Sequence, residues 1–278
     1  MRPTPAPVDA PPSRSVEEPA RHVYDYLVDP ASDTAPARVC RLVGSGKRVL
    51  EIGAGPGSIT RVLRAQNNRV TALEVDPTAL PYLRPHCDEV VSADLNRADW
   101  VDHLGSARFD AVIAADVLEH LSDPWSTLGQ MKQLLAPGGV IVVSVPHASH
   151  ACLLACLLDE DVQYNDWGLL DRTHIRFFGL KNVQAMFEKA QLKLVTGEFV
   201  IRRPEETEFK DKWSALPREA RRFLDKQPFA HVYQVVVVAA QRNDPRPALE
   251  LMQLAGRRSV VASARVMLRS VAGRVLGR

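Results

Sequence analysis

Cysteine is scarce in this 278-residue chain, and no two of Cys40, Cys87, Cys152 and Cys156 stand in a Cys-x-x-Cys pair. That spacing excludes a zinc framework, and Cys152 and Cys156, one helical turn apart in an apolar stretch, read as reduced thiols in a packed helix. No apolar run reaches the ~18 residues that span a bilayer. The start of the chain, with Pro3, Pro5, Pro7, Pro11, Pro12 and Pro19, does not read as a signal peptide. These absences predict a cytoplasmic protein. Nor does one sign of charge prevail: 35 Lys and Arg against 33 Asp and Glu leave a formal net charge of +2, which marks neither a nucleic-acid footprint nor a strongly acidic partner. What the chain does have is apolar content, 46% against 24% charged, enough for one large core with no sign of a second.

The most informative stretch runs from Val49 to Gly57, where a short apolar strand over Lys47 to Ile52 enters a turn holding Gly53, Gly55 and Gly57 and a helix follows over Ser58 to Gln66. Glycines at this junction permit positive φ and close approach of the backbone to a ligand. The spacing is Gly-x-Gly-x-Gly behind Glu51, not the Gly-x-Gly-x-x-Gly of a dinucleotide fingerprint, and Glu51 would repel a pyrophosphate. The same carboxylate suits a cofactor carrying an ammonium and a sulfonium, as S-adenosylmethionine (SAM) does. A second strand over Arg69 to Val75 carries Glu74 about twenty residues past the loop, where a doubly wound fold puts the acid that binds a ribose diol. Asp76 competes for that role, but it precedes Pro77 and reads better as the cap of a helix beginning at Thr78. A third strand, Val90 to Leu95, ends at Asp94, suited to an adenine amino group; a helix cap is the plainer alternative.

Phe109 to Asp116 gives a fourth strand, and Leu134 to Gly139 ends a helix before a fifth strand over Val140 to Val145. Regular alternation of strand and helix predicts an α/β sheet. The segments VLEIGAGPG, LEVD, SADL, FDAVIAADVLEHLSDP, LLAPGGVIVVSVPH and GLLDRTHIRFFG together resemble those of class I SAM-dependent methyltransferases. The last of them, with Leu153, Leu154 and Tyr164, is similar to methyltransferase modules found with glycosyltransferases in bacterial glycan pathways. The resemblance implies a doubly wound, Rossmann-like sheet of seven strands with an antiparallel last strand and helices on both faces. Leu192 to Ile201 and His231 to Ala240 would be strands six and seven. It implies SAM as cofactor, held by Glu51, Gly53, Ala54, Gly55, Gly57, Glu74, Val75, Asp94, Leu95, Ala115 and Asp116. The expected activity is O-methylation of a sugar, glycan precursor or related small metabolite. N- or C-methylation of a secondary metabolite, or a catalytically silent SAM-binding subunit, are the alternatives. A nucleic-acid acceptor is disfavoured, because the position after strand four reads Ala114-Ala115-Asp116-Val117 and not Asn/Asp-Pro-Pro-Tyr/Phe.

Three regions follow from composition. Residues 1–20 read as a disordered Pro-rich tail, 21–243 as the methyltransferase domain, and 244–278 as a basic amphipathic helix. In that last region Leu251, Leu254, Val261, Ala264, Leu268, Val271 and Val275 form one stripe beside Arg257, Arg258, Arg265, Arg269, Arg274 and Arg278. Residues 249–278 could meet an anionic membrane, a partner protein or the chain's own domain. At the other end, His22, Tyr24 or Tyr26 could fold over the cofactor or serve as structural aromatics.

In open α/β sheets the acceptor meets the cofactor beyond the carboxyl ends of the strands, here near Asp116 to His120 and the long segment 147–179. That segment reads as an acceptor-side insertion, with Leu153 to Leu158 as a short helical lid and Tyr164, Trp167, Leu169 and Leu170 as walls. His174 is the expected general base, oriented by Asp171 three residues earlier; His120 ranks next, then His147 and His150. These polar residues could equally hold the lid against the sheet. Asp116, Glu119, His120, Asp171 and His174 are groups from which a divalent ion site could be built, but nothing in the sequence brings them together and no metal is assigned.

Overall fold

The computed structural model describes His22 and residues 24–254. The Pro-rich tail and the arginine-bearing stretch beyond residue 254 lie outside the described residues. Seven strands make one sheet: β1 (Arg48–Ile52), β2 (Arg69–Leu73), β3 (Glu89–Val91), β4 (Phe109–Ala115), β5 (Leu135–Pro146), β6 (Leu192–Ile201) and β7 (Val232–Gln241). Their order is β3-β2-β1-β4-β5-β7-β6, parallel from β3 through β5, with β7 antiparallel to both of its neighbours. The expected seven-stranded doubly wound sheet with an antiparallel last strand is therefore found.

The strands read as nearly unbroken apolar runs because both faces are covered. Leu50 and Ile52 of β1, Val112 and Ala114 of β4, and Val235 and Val237 of β7 point to one face. There they meet α4 (Pro124–Gln133) and α6 (Leu180–Lys189) through Leu128, Met131, Val183 and Phe187. Val49, Ala111, Ile113, Val236 and Val238 point to the other. That side is covered by α1 (Ala35–Val43) and α2 (Ser58–Ala65), through Val39, Cys40, Ile59 and Leu63. The single turn α3 (Leu80–Leu83) closes the β2–β3 connection.

Several boundaries differ from expectation; β2 stops at Leu73, which leaves Glu74 and Val75 on the turn beyond it. Residues 135–136 belong to β5, not to the preceding helix, because Leu135 pairs with Phe109 before a register shift brings Val140 opposite Ala111. β3 stops at Val91, so Asp94 stands on the turn beyond it.

α5 (Ala151–Leu158), α7 (Lys210–Ala215) and α8 (Arg218–Asp225) form a separate apolar cluster around Cys152, Cys156, Phe209, Trp213 and Leu224. Both cysteines of α5 are buried and free, as read from their spacing, and burial pushes the Cys152 thiol up to about 12. The stretch after β7 returns to the domain: the Leu249 amide donates to the Leu194 carbonyl at 2.8 Å, and Leu251 is fully buried. Among the described residues no helix is long and apolar enough to cross a membrane.

Candidate active site

A cavity of about 510 Å³ opens beyond the carboxyl ends of β1, β2 and β4, where parallel strands leave a crevice on crossing to their helices. The antiparallel β7 begins at this same edge and contributes Tyr233 and Gln234. The cavity has two halves.

In the first half, Gly53 turns the chain out of β1 with φ +63°, and a Cβ there would come within 2.7 Å of a Val117 methyl carbon. Only glycine satisfies both conditions. Glu51 lies beneath this turn, 3% exposed, with Thr60 Oγ1 donating to its Oε2 at 2.7 Å. Burial pushes its carboxyl up to about 8, with a smaller push from Glu74 and an opposing pull from the Thr60 hydrogen bond. Glu74, just beyond the end of β2, accepts the amide of Gly55 at 2.6 Å on Oε2 and those of Val75 and Asp76 at 2.8 Å on Oε1. Its carboxylate thus pins the glycine turn to the β2 turn. Asp94 accepts the Asn96 amide at 2.9 Å.

Asp116 closes β4 in a left-handed conformation, φ +54°, which Asp tolerates better than most side chains. Ser144 Oγ donates to one of its carboxylate oxygens at 2.9 Å and Gln234 Nε2 to the other at 2.7 Å. Burial nevertheless raises its carboxyl to about 6.

Of the expected cofactor residues, Glu51, Gly53, Ala54, Gly55, Glu74, Val75, Asp94, Leu95, Ala115 and Asp116 all line the cavity. Gly57 does not. It starts α2 with φ +92°, and a Cβ there would sit 3.3 Å from Leu83, so its role is packing. Asp76 accepts the Thr78 amide at 2.8 Å, but it caps a turn and not the expected helix from Thr78, since α3 begins at Leu80 behind Ala79. The N-terminal segment folds over this half. The Tyr26 amide donates to Ser58 Oγ at 3.1 Å, Arg61 pairs with Asp25 at 2.7 Å, and His22, Tyr24 and Tyr26 all line the cavity.

The second half is built from the turn after β4 and from residues 167–174. The carbonyl of Glu119 accepts the amides of Ile175 and Arg176, both at 3.0 Å, which seats the long loop on this turn. Thr173 Oγ1 donates to Asp171 Oδ1 at 2.6 Å and lies 2.9 Å from His120 Nδ1. Since the hydroxyl proton goes to Asp171, the His120 Nδ1 carries the hydrogen and donates to Thr173, leaving Nε2 with a lone pair. Asp171 Oδ2 also accepts from Tyr24 OH at 3.4 Å.

His174 Nδ1 faces the Leu169 carbonyl at 3.3 Å, and its ring packs edge-on to that of His120 with centroids 4.8 Å apart. Burial holds both imidazoles below the usual histidine range.

The predicted orienting bond from Asp171 to the His174 ring is not formed. The Asp171 carboxylate turns to Thr173 and Tyr24 instead, because the tight turn at 171–173 offers it the Thr173 amide at 2.8 Å and the Thr173 hydroxyl. Two other expectations also fail. The α5 segment is no lid, since Leu153, Ala155 and Cys156 pack in the α7–α8 cluster and the segment contributes nothing to the cavity wall. His147 and His150 point into the fold, onto the carbonyls of Val232 and Arg202. Trp167 and Leu169 do line the cavity, whereas Tyr164 and Leu170 do not. Thr173 and Gln234 were not singled out from the sequence; each works through a partner more than fifty residues away.

A family model described as "Methyltransferase domain" matches residues 21–196, more than half of the chain. The chain belongs to this methyltransferase family. Family and fold together place it among the class I SAM-dependent methyltransferases, with SAM as the cofactor of the class. The first half of the cavity fits that cofactor, offering a buried carboxyl under a glycine turn for positive charge and a backbone-held Glu74 for a diol.

Among curated proteins the chain is similar to a ubiquinone biosynthesis O-methyltransferase of Alkalilimnicola ehrlichii, 29% identical over 140 residues, covering 48% of this chain and 57% of that protein. A protein of the same name from Xylella fastidiosa is 31% identical over 120 residues, covering 42% of this chain and 49% of that protein. The chain thus spans about half the length of the curated relatives it matches. Among solved structures, a SAM-dependent methyltransferase from Mesorhizobium loti matches with TM-score 0.52 and 17% identity, covering 74% of this chain and 97% of that one. The YcgJ protein of Bacillus subtilis matches with TM-score 0.53 and 14% identity, covering 75% and 98%. At these identities they speak for the fold.

Proposed function

We propose that the chain is an O-methyltransferase that carries the methyl group of SAM to a hydroxyl of a sugar, a glycan precursor or a related small metabolite. The observation that carries this reading is the hydrogen-bonded run from Asp171 through Thr173 to His120 at the acceptor half of the cavity. A hydroxyl must lose its proton on attack, so an oxygen acceptor calls for a base within reach. His120 presents Nε2 as that base. Its Nδ1–H is fixed by Thr173, and Asp171 offsets the charge that the ring acquires. His174 is the second ring of this wall, and Trp167 and Tyr24 flank the acceptor.

The cofactor supplies an electrophilic methyl group on a sulfonium. Glu51 takes its positive charge, Glu74 the ribose diol and Asp94 the adenine edge, while the N-terminal segment excludes water. Methyl transfer is then an in-line displacement in which the protein contributes alignment and proton removal. Support for oxygen as the acceptor atom comes also from relatives named O-methyltransferases.

The test is conversion of SAM to S-adenosylhomocysteine by the purified chain against a panel of sugars, glycan precursors, phenols and amines, with the methylated atom fixed by NMR. Turnover on a hydroxyl, lost in His120→Ala, supports the proposal. Methylation at nitrogen or carbon overturns the acceptor assignment, and tight SAM binding without turnover on any acceptor supports a silent subunit.

A further inference from the structure

Among the described residues, Glu119 is the carboxylate whose two oxygens are both buried and without a hydrogen-bond partner, and the residue is 1% exposed. Leaving such a group unpaired is costly, so its retention at the wall of a cavity calls for an occupant. Two imidazoles stand beside it. His174 Nε2 is 3.9 Å from Glu119 Oε1, and one ligand atom each from Glu119, His120 and His174 lie within 4.8 Å of one another.

The His174 ring is anchored through its other nitrogen, Nδ1 on the Leu169 carbonyl, and His120 Nδ1 is held by Thr173, which in turn donates to Asp171. Ligating histidines are characteristically held this way, the outer hydrogen bond fixing the tautomer and aiming the remaining lone pair. The proposed base run serves equally well as the outer shell of an ion.

We propose that Glu119, His120 and His174 bind a divalent first-row transition ion, of the Zn²⁺ or Mn²⁺ class, at the acceptor end of the cavity. Two imidazoles and one carboxylate select such ions over Mg²⁺, which prefers oxygen ligands and retained water. Three atoms no more than 4.8 Å apart reach the usual metal–ligand distance of about 2.1 Å from a common centre with shifts under roughly 1 Å each. With three protein ligands a coordination position stays open, the arrangement of catalytic rather than structural sites. All three residues line the cavity in which the acceptor is proposed to bind.

In its catalytic consequence the inference rests on the proposed function. In the ion-loaded protein His120 is a ligand, and the ion lowers the pKa of the acceptor hydroxyl. The hydroxyl proton leaves to bulk water, the acceptor oxygen bonds to the methyl carbon, and the carbon–sulfur electron pair remains on sulfur.

The ion binding itself is testable without turnover. The full chain, stripped with EDTA, is titrated calorimetrically with Zn²⁺ and with Mn²⁺, and with Co²⁺ while its visible absorption is followed. The expected result is one ion per chain with Co²⁺ bands of nitrogen–oxygen coordination, weakened at least tenfold by Glu119→Gln and by His174→Ala, and more mildly by Thr173→Val. SAM affinity, measured on every variant, reports that the fold and the cofactor half persist. Failure to bind any of the three ions stoichiometrically overturns the inference, as does binding that survives Glu119→Gln and His174→Ala with unchanged affinity. Full methyl transfer by the EDTA-stripped chain overturns the catalytic consequence alone and leaves the methyltransferase reading in place.

Discussion

The two halves of the cavity treat their polar groups in opposite ways. In the cofactor half Glu74 accepts three backbone amides, Asp94 accepts the Asn96 amide, and Asp116 is held by Ser144 and Gln234. These side chains stand at or just beyond strand ends, so the sheet itself sets their positions. In the acceptor half Glu119 has no hydrogen-bond partner for either oxygen; of the two rings beside it, His120 comes from the β4 turn and His174 from the long loop seated on that turn. In the first half these carboxylates are satisfied within the fold; in the second the Glu119 carboxylate is not.

Glu74→Ala is expected to break the cofactor half most severely. It removes the acceptor of three amides and, with it, both the loop geometry and the proposed diol contact. Losing charge-assisted hydrogen bonds of about 1.5–3 kcal/mol each should weaken SAM binding by roughly 100-fold or more in calorimetry. The sheet should survive, as circular dichroism would confirm. Near-normal affinity would remove Glu74 from the cofactor site.

His120→Ala sharpens the comparison from the other side. A general base contributes about 10²- to 10⁴-fold, so kcat should fall in that range while SAM affinity stays unchanged. Thr173→Val should cost less and Thr173→Ser little, since only the former loses the hydroxyl that links the ring to Asp171. Equal kcat for all three would dissolve the relay.

The third effect is a pH dependence confined to the cofactor half. The buried Glu51 carboxyl, raised to about 8, keeps its proton at neutrality in the free protein, whereas a cationic cofactor favours the ionised form. Binding at pH 7 should therefore release nearly one proton per site, about what linkage predicts for a single group, and affinity should rise with pH up to about 8. Titrations in buffers of different ionisation heat would read the proton directly. For the free protein the sign is opposite. Unfolded Glu51 ionises near its ordinary value while the folded carboxyl does not, so stability falls as pH rises from about 4.5 to about 8. Glu51→Gln should flatten both dependences.

Trp167→Ala should give the smallest change, a severalfold rise in acceptor KM at constant kcat. Trp167 lines the cavity but is 60% exposed, so it contributes surface rather than chemistry.

The contrast also explains what could be read from the amino-acid sequence. Glu51, Glu74 and Asp94 are visible because each sits at or beyond the end of a short apolar run, and strand ends are where a parallel sheet collects its ligands. Gly57 carries the same local signal as Gly53 and Gly55, yet only the fold reveals that it faces Leu83 and not the cavity. The acceptor half is made by pairings at long separation, such as Thr173 with His120, which no local pattern encodes. The apolar segment of α5 misleads because a buried helix and a greasy lid share one composition; α7 and α8, which bury it, lie far downstream.

The strand order has a consequence in time. Among the described residues β6 pairs only with β7, and β7 stands between β5 and β6 although it follows both in sequence. As the chain emerges from synthesis, β3-β2-β1-β4-β5 can assemble in turn while β6 waits without a partner and the far edge of β5 stays open. β7 fills that gap, pairs with β6 and carries Gln234 to Asp116. Until then the nascent sheet has an unpaired edge of the kind that promotes misassociation, and the site lacks one of its walls.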